Sequence, residues 1–479
     1  MRDTPMSSRK IAIHALAERM APERDRWIER NAYFYDYDRR TMQFLIPAGL
    51  TVLDLGCGNG DLLASLRPSR GVGIDFSAAA VRIARERYPH LEFRQGDIED
   101  AANYEGLDGP FDVVVLSDAI GALDDCETTL RHLHKVIGPH TRIVIAYFAP
   151  VWEPLLAAAE RLGEKMPQTE QNWLSTEDIE NLLTLAGFEP IVRDWRQLVP
   201  RRLLGLGPLI NRTVATLPGI RRLCLRTYLV ARPAPKPAEK PLSATVIIPC
   251  RNERGNIEPA IQRLPRFTED LEILFVEGHS KDGTLEEIHR VIAAYPQYDI
   301  KVLVQDGKGK GDAMRKGYAH ARGDVLIILD ADLTVPPEWI PRFYEAIQSG
   351  RAEFANGTRL VYPMEAQAMR FLNMIGNRAF SILFTWLLNQ RFTDTLCGTK
   401  VLSRKHYQQI SANRSYFGDF DPFGDFDLIF GAVKLHLKVA EVPVRYAART
   451  YGSTQISRWR HGVLLLRMVA FAFRKLKAF

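Results

Sequence analysis

The sequence predicts two consecutive α/β domains, each a largely parallel sheet layered with helices, and three observations predict it. The chain's 479 residues exceed the length at which a single hydrophobic core keeps growing. On both sides of the midpoint, short apolar runs alternate with helical patterns. They are Thr51–Leu55 and Val113–Leu116 on one side, and Thr245–Ile248, Ile273–Val276 and Val325–Leu329 on the other. Continuous apolar runs of this length read as strands buried on both faces. Between the two series, Arg232–Pro241 reads RPAPKPAEKP. Prolines at 233, 235, 237 and 241 favour extended backbone and exclude a helix or a central strand. The expected division is a domain at 1–232 that begins with a helical segment, a semi-rigid linker at 233–241 and a domain at 242–479 that ends in a basic amphipathic helix, with no repeat relating the halves.

Apolar residues at 46% and charged residues at 25% are ordinary for globular protein and exclude a disordered or collagen-like chain. The pI near 9.0 admits nucleic acid, anionic lipid and phosphorylated ligands as partners. No acidic residue occurs between Asp194 and Glu239, where Arg196, Arg201, Arg202, Arg212, Arg221, Arg222, Arg226 and Arg232 fall, and none follows Glu441. The five scattered cysteines form no CxxC pair, which argues for a reducing compartment. The first ten residues lack the apolar stretch of a signal peptide, so a cytoplasmic location is expected.

In the first half, Val52–Asp61 reads VLDLGCGNGD. An apolar strand carries Asp54 at its end and runs into glycines at 56, 58 and 60, which let backbone lie close against a ligand. Gly71–Phe76 is a second short strand ending in Asp75, placed to accept ribose hydroxyls. Asp97 follows the strand Leu91–Arg94, and Phe111–Asp118 is a fourth buried strand. The spacing is GxGxG, against the GxGxxG of dinucleotide enzymes. Over roughly 30–195 this half resembles the class I methyltransferases that bind S-adenosylmethionine, which implies a Rossmann-like domain. By that resemblance Asp54, Gly56, Gly58 and Gly60 contact the methionine part, Asp75 the ribose, and Asp97 with Ile98 the adenine. Tyr33, Tyr35, Asp36 and Asp38 form either a lid over the cofactor or a surface turn. No catalytic base stands out, as suits a reaction in which the sulfonium is already a good leaving group.

The second half opens on Ala244–Glu253, ATVIIPCRNE, a buried strand ending at Pro249 with Asn252 and Glu253 behind it. The next strand ends in Glu277, and Gly307–Met314, GKGKGDAM, opens a helix with glycines and two lysines suited to an anion. Val325–Asp332, VLIILDAD, sets two carboxylates at a strand end, where a divalent cation with substrate phosphates satisfies them. Across about 243–455 these residues resemble the family 2 glycosyltransferases, among them the polyprenyl-phosphate sugar transferases, and imply a GT-A-type domain. Gly357–Arg359, Thr393–Lys400, Glu441–Val444 and Arg449–Ser453 look like later motifs of that subgroup. The resemblance implies that Pro249, Glu253, Glu277, Lys310 and Asp330 hold a nucleotide sugar and that Asp330 with Asp332 binds Mg²⁺ or Mn²⁺. It also places Asp394 beside the sugar and Arg449 on an acceptor phosphate. Glu277-Gly278 stands where the family usually has two adjacent acids, and Thr334 replaces a glutamine often found there. The implied reaction is displacement at the anomeric carbon with inversion. A phosphate acceptor needs no strong base; a hydroxyl acceptor requires Asp394, Asp425 or Asp427. Asp425 and Asp427 alternatively cap the helix that follows them.

No run reaches the ~18–20 apolar residues of a spanning helix. Val463–Phe473, flanked by Arg458, Arg460, Arg474, Lys475 and Lys477, suits a helix lying in an anionic interface. Phe380, Leu383, Phe384 and Leu387 within Met369–Leu388 face lipid or a polyprenyl tail, or pack on the domain. The expectation is a bifunctional enzyme, peripheral on the inner membrane face. Its sugar acceptor is a polyprenyl phosphate or glycan, and the methyl acceptor is unassigned. The competing reading makes the first half a non-catalytic module that binds S-adenosylmethionine or docks a partner. Nucleic acid is not an expected partner, since no base-flipping signature is present.

Overall fold

The computed structural model describes residues 7–361, 371–414, 424–449, 451 and 458–478, with the side chains of 371–376 and 458–465 outside that description. Met369, Arg370, Thr450, Gly452 and Ser453 of the motifs above lie outside the described residues. Two compact units emerge: residues Met1–Ala234 with Lys477–Phe479, and residues Pro235–Leu476. No regular element occupies 234–243, and the first proline of the linker motif, Pro233, closes the last strand of the first unit.

The first unit is built on a seven-stranded sheet: β1 (Thr51–Leu55), β2 (Arg70–Asp75), β3 (Glu92–Gln95), β4 (Phe111–Ser117), β5 (Ile137–Phe148), β6 (Phe188–Arg196) and β7 (Arg226–Pro233). The order is β3-β2-β1-β4-β5-β7-β6, parallel except that β7 runs antiparallel to β5 and β6. Both faces of β1 are covered: Leu53 and Leu55 join one apolar cluster, and Val52 joins another on the opposite face. That is why its sequence is a continuous apolar run with no polar alternation. The strand order reverses between β1 and β4, which opens a crevice at their carboxyl ends, the usual ligand position in such sheets. Tyr33, Tyr35, Asp36 and Asp38 lie on a helix, Ala32–Leu45, and so do not form a surface turn.

The second unit carries β8 (Ala244–Cys250), β9 (Leu271–Glu277), β10 (Asp299–Val304), β11 (Val325–Ile328), β12 (Phe354–Thr358), β13 (Lys400–Ser403) and β14 (Val439–Pro443). Their order is β10-β9-β8-β11-β13-β12-β14, with β10, β9, β8 and β11 parallel and β13 antiparallel to both its neighbours. The reversal here lies between β8 and β11. Val246, Ile248, Phe275 and Ile327 anchor the core beneath it. Pro249 falls beyond the last β8 residue paired with β11, so its missing N–H costs no bond on that side.

Among the described residues no helix is long and apolar enough to cross a membrane. Phe384 and Leu387 are buried, and the Phe384 ring packs against Phe426 and Phe430, so this part of the helix Phe371–Leu388 packs on its own unit.

Candidate active sites

In the first unit the chain leaves β1 through Gly56, Gly58 and Gly60, all with left-handed φ, of 77°, 53° and 81°. A Cβ at Gly56 would meet the Ala119 Cβ at 2.9 Å, and one at Gly60 would meet the Phe93 ring at 2.7 Å, so both positions require glycine. Asp75 at the end of β2 accepts from the Gly58 amide (2.8 Å) and the Ser77 amide (2.9 Å), which pins the glycine loop to the second strand. Asp54 is 1% exposed, and its Oδ2 has no hydrogen-bond partner. Burial, with the nearby Asp75 charge, pushes its carboxyl up to about 7. A buried acid held without a donor is costly, and a ligand bearing an ammonium group would satisfy it. Asp97 pairs with Lys10, on the helix Ser8–Met20, and accepts from the Glu99 amide at 3.0 Å. Ile98 beside it is buried, and its carbonyl accepts from the Tyr104 hydroxyl at 2.8 Å.

Sequence reasoning assigned no role to Asp118 or Arg226. Asp118 adopts a left-handed φ of 61° just past β4, next to the Ala119 that abuts Gly56. It pairs with the fully buried Arg226, whose Nε also donates to Asp38 at 3.0 Å. Phe148 and Phe34 stack at 6.0 Å, with the guanidinium 4.7 Å from the first ring and 5.8 Å from the second. Arg226 lies in the acid-free stretch, and that charge imbalance was its only signal.

In the second unit, the acids at the end of β11 meet cations from elsewhere in the fold. Lys310, the first residue of the helix Lys310–His320, lies 2.7 Å from Asp330 and 3.9 Å from Asp425. Burial alone would raise the Asp330 carboxyl, but the Lys310 charge and hydrogen bond hold it below its ordinary value. Asp332 accepts from the Thr334 amide (3.2 Å) and hydroxyl (2.8 Å), and its other oxygen accepts from Arg449 at 2.6 Å. Arg449 also reaches Glu253 at 3.2 Å. The structure thus brings Glu253, Lys310, Asp330, Asp332, Asp425 and Arg449 together around the carboxyl ends of β8 and β11. Lys400 joins them, 3.5 Å from Asp425, fully buried and donating to the Cys397 carbonyl; its motif was legible but its role was not. A Cβ at Gly398 would overlap the Asp330 carboxylate, so any larger residue there displaces that carboxylate.

Two expected site residues are placed differently. Glu277 is 2% exposed and folds back to accept from the His279 (3.0 Å) and Ser280 (2.6 Å) amides, building the turn after β9. Asp427 pairs with Arg414 at 3.1 Å in a groove between helices. Neither Asp425 nor Asp427 is a cap: the cap position is Gly424, and both acids lie in the first helical turn.

Asp394 as general base is corrected by its surroundings. It is fully buried, and its two oxygens accept five hydrogen bonds: three from Arg359 (3.1, 2.6 and 2.9 Å), one from Asn377 (3.0 Å) and one from the Leu396 amide (3.0 Å). Burial would raise its carboxyl, yet the Arg359 charge and bonds hold it at about 2. With every lone pair committed, Asp394 positions the loop. Glu441 accepts from the Thr393 amide (2.6 Å) and hydroxyl (2.9 Å), so three of the late motifs interlock as one scaffold.

A glycosyl transferase family 2 model matches residues 245–415, and a methyltransferase-domain model matches residues 46–190. The dolichol-phosphate mannosyltransferase of Saccharomyces cerevisiae is 34% identical over 233 residues, covering 44% of this chain and 80% of the yeast protein. The chain belongs to glycosyl transferase family 2. The dolichol-phosphate mannosyltransferase of Pyrococcus furiosus is 30% identical over 221 residues, covering 45% of this chain and 59% of that relative. A solved S-adenosylmethionine-dependent methyltransferase of Thermotoga maritima, described as a possible histamine N-methyltransferase, resembles the other unit. It shows 20% identity and a TM-score of 0.37, covering 46% of this chain and 99% of that one. By the two family models, the chain is a family 2 glycosyltransferase unit preceded by a methyltransferase domain. In this family 2 member, Thr334 caps Asp332 where the family often has glutamine.

Proposed function

We propose that the second unit transfers a sugar from a nucleotide sugar to a polyprenyl phosphate or a glycan, with inversion. The first unit then transfers methyl from S-adenosylmethionine to an acceptor of the same pathway, such as a glycan. One observation carries the sugar-transfer reading: Asp330 and Asp332 share a crevice at the reversal of strand order with Lys310 and Arg449. The oxygen donors of Asp330 and Asp332 suit Mg²⁺ or Mn²⁺, which would offset charge developing on the departing nucleoside diphosphate. Lys310 and the glycine turn before it would meet the diphosphate, with Glu253 beside it. Arg449, shared by Glu253 and Asp332, would exchange a carboxylate for an acceptor phosphate. A phosphate acceptor is favoured because, among the described residues, Asp394 is spent on Arg359, Asp425 is flanked by Lys310 and Lys400, and Asp427 pairs with Arg414. The names of the yeast and archaeal relatives point the same way.

For the first unit, the glycine loop, Asp75 and the unsatisfied Asp54 fit S-adenosylmethionine, and Asp97 with Ile98 would lie toward its adenine. A sugar transferase whose first unit only binds that cofactor is the alternative. We place the enzyme on the cytoplasmic face of an anionic membrane.

The test is nucleoside diphosphate release from a panel of nucleotide sugars with Mn²⁺, with and without polyprenyl phosphate. Release that requires the metal, rises with the lipid and disappears in Asp332→Ala is expected. No release from any donor by folded protein would overturn the reading, and lipid-independent release would move the acceptor to a glycan. Transfer of label from S-adenosylmethionine to a glycan or lipid fraction separates catalysis from mere binding.

A further inference from the structure

The first unit turns apolar side chains outward where its sequence carries only positive charge. Leu203 and Leu204 are 55% and 106% exposed, and Leu206 and Leu209 are 59% and 58% exposed. The short helix Leu206–Arg212 is inverted: it buries Gly207 and Asn211 while its leucines, three residues apart on one face, point away from the protein. Asn211 is held inside by hydrogen bonds to the Tyr33 hydroxyl (2.9 Å) and the Val199 backbone (2.9 and 2.8 Å). Leu203 and Leu204 also sit at positive φ, 44° and 53°, a conformation unfavourable for leucine. Strained backbone that holds leucines out in water is poor design for an aqueous surface and sound design for an apolar medium.

Immediately behind this tip lies a cavity of about 320 Å³ lined by Arg40, Arg202 and Arg212 with Tyr33 and Tyr37. Among the described residues no carboxylate pairs with these three arginines, and the chain holds no acid between Asp194 and Glu239. Apolar tip and arginine cavity together match the two layers of an anionic bilayer surface, acyl chains below and phosphates above.

We propose that residues 202–212 form a membrane-docking loop. Leu203, Leu204, Leu206 and Leu209 enter the acyl boundary, and Arg40, Arg202 and Arg212 take the phosphate of an anionic phospholipid. This goes beyond the catalytic reading, since it concerns the methyltransferase unit and stands whichever acceptor the sugar transferase uses.

The test is co-sedimentation of the full chain with phosphatidylcholine vesicles, with and without phosphatidylglycerol, across a salt series. Wild type is expected to partition onto the anionic vesicles and to release as salt rises. The paired change Leu203→Asp with Leu204→Asp should lower the partition coefficient by on the order of tenfold or more, with circular dichroism unchanged. Arg202→Gln with Arg212→Gln should flatten the salt dependence. Leu204→Trp gives a local readout, in which added vesicles should shift the added tryptophan emission to the blue and brominated acyl chains should quench it. Unchanged partitioning of the aspartate variant together with no blue shift overturns the proposal. So does a dimer in sedimentation velocity that Leu204→Asp dissolves, which would assign the patch to a second copy. Inorganic phosphate binding at the arginines with no vesicle dependence would assign the cavity to a soluble anion and also overturn it.

Discussion

Asp394 and Arg359 show how a buried charge is made tolerable, by closing every bond it can form. Removing one partner strands the other in a dry interior, which costs about 3–5 kcal/mol. Asp394→Ala and Arg359→Met are each expected to destabilise the second unit by that amount in denaturant unfolding, and the double variant by less than the sum. A base would behave otherwise: Asp394→Asn would abolish turnover and leave stability intact. The pair also predicts acid sensitivity. Asp394 has a folded pKa of about 2, below its unfolded value, so its contribution is present above about pH 4 and lost as pH falls toward 2. At Gly398 the argument is steric. Gly398→Ala pushes the Asp330 carboxylate aside, and a displacement near 1 Å at a reacting centre costs roughly 10²-fold in rate. Nucleoside diphosphate release should fall by that factor while the circular dichroism spectrum is kept.

At the level of strands and helices, the legible parts were those whose sequence period matches their burial. β1, β4, β8 and β11 are covered on both faces and read as apolar runs; the expected Thr51–Leu55 is β1 itself. β12, β13 and β14 escaped notice because they answer to the site as much as to the core. β13 begins with the buried Lys400, and β14 carries Glu441, which grips Thr393. A helical segment was expected at the start of the first domain, but the bounds of the helix Ala32–Leu45 were obscured by its own chemistry, since Asp38 turns inward to Arg226 and Tyr228 and breaks the apolar period. Charge partners were not legible either: nothing in the one-dimensional pattern joins Asp330 to Lys310 or Asp332 to Arg449. Gly424 shows how tightly two helices can meet. It has a φ of 74°, and a Cβ there would lie 2.8 Å from the Gly311 Cα. Gly424→Ala should therefore move Asp425 away from Lys310 and lower the midpoint of thermal unfolding by several degrees, read by calorimetry.

Across the whole molecule, each unit has its own sheet, core and reversal point, so each should answer to its own ligand. Calorimetry is expected to show two transitions. S-adenosylhomocysteine should raise one, and Mn²⁺ with a nucleoside diphosphate the other, each by about 2.7 kcal/mol at a hundredfold excess over Kd. A ligand that raised both would show that the units unfold as one. Inside the first unit, the unsatisfied oxygen of Asp54 ties ligand uptake to proton traffic. A carboxyl near pKa 7 is largely protonated in mildly acid solution, and a cationic ligand beside it favours the carboxylate. Binding should then expel roughly one proton into the buffer. Titrations of S-adenosylmethionine near pH 6 in two buffers of unequal ionisation enthalpy would return unequal heats, and Asp54→Asn would bring them into agreement. The cofactor's apparent affinity would carry a record of the surrounding acidity, written by one buried oxygen.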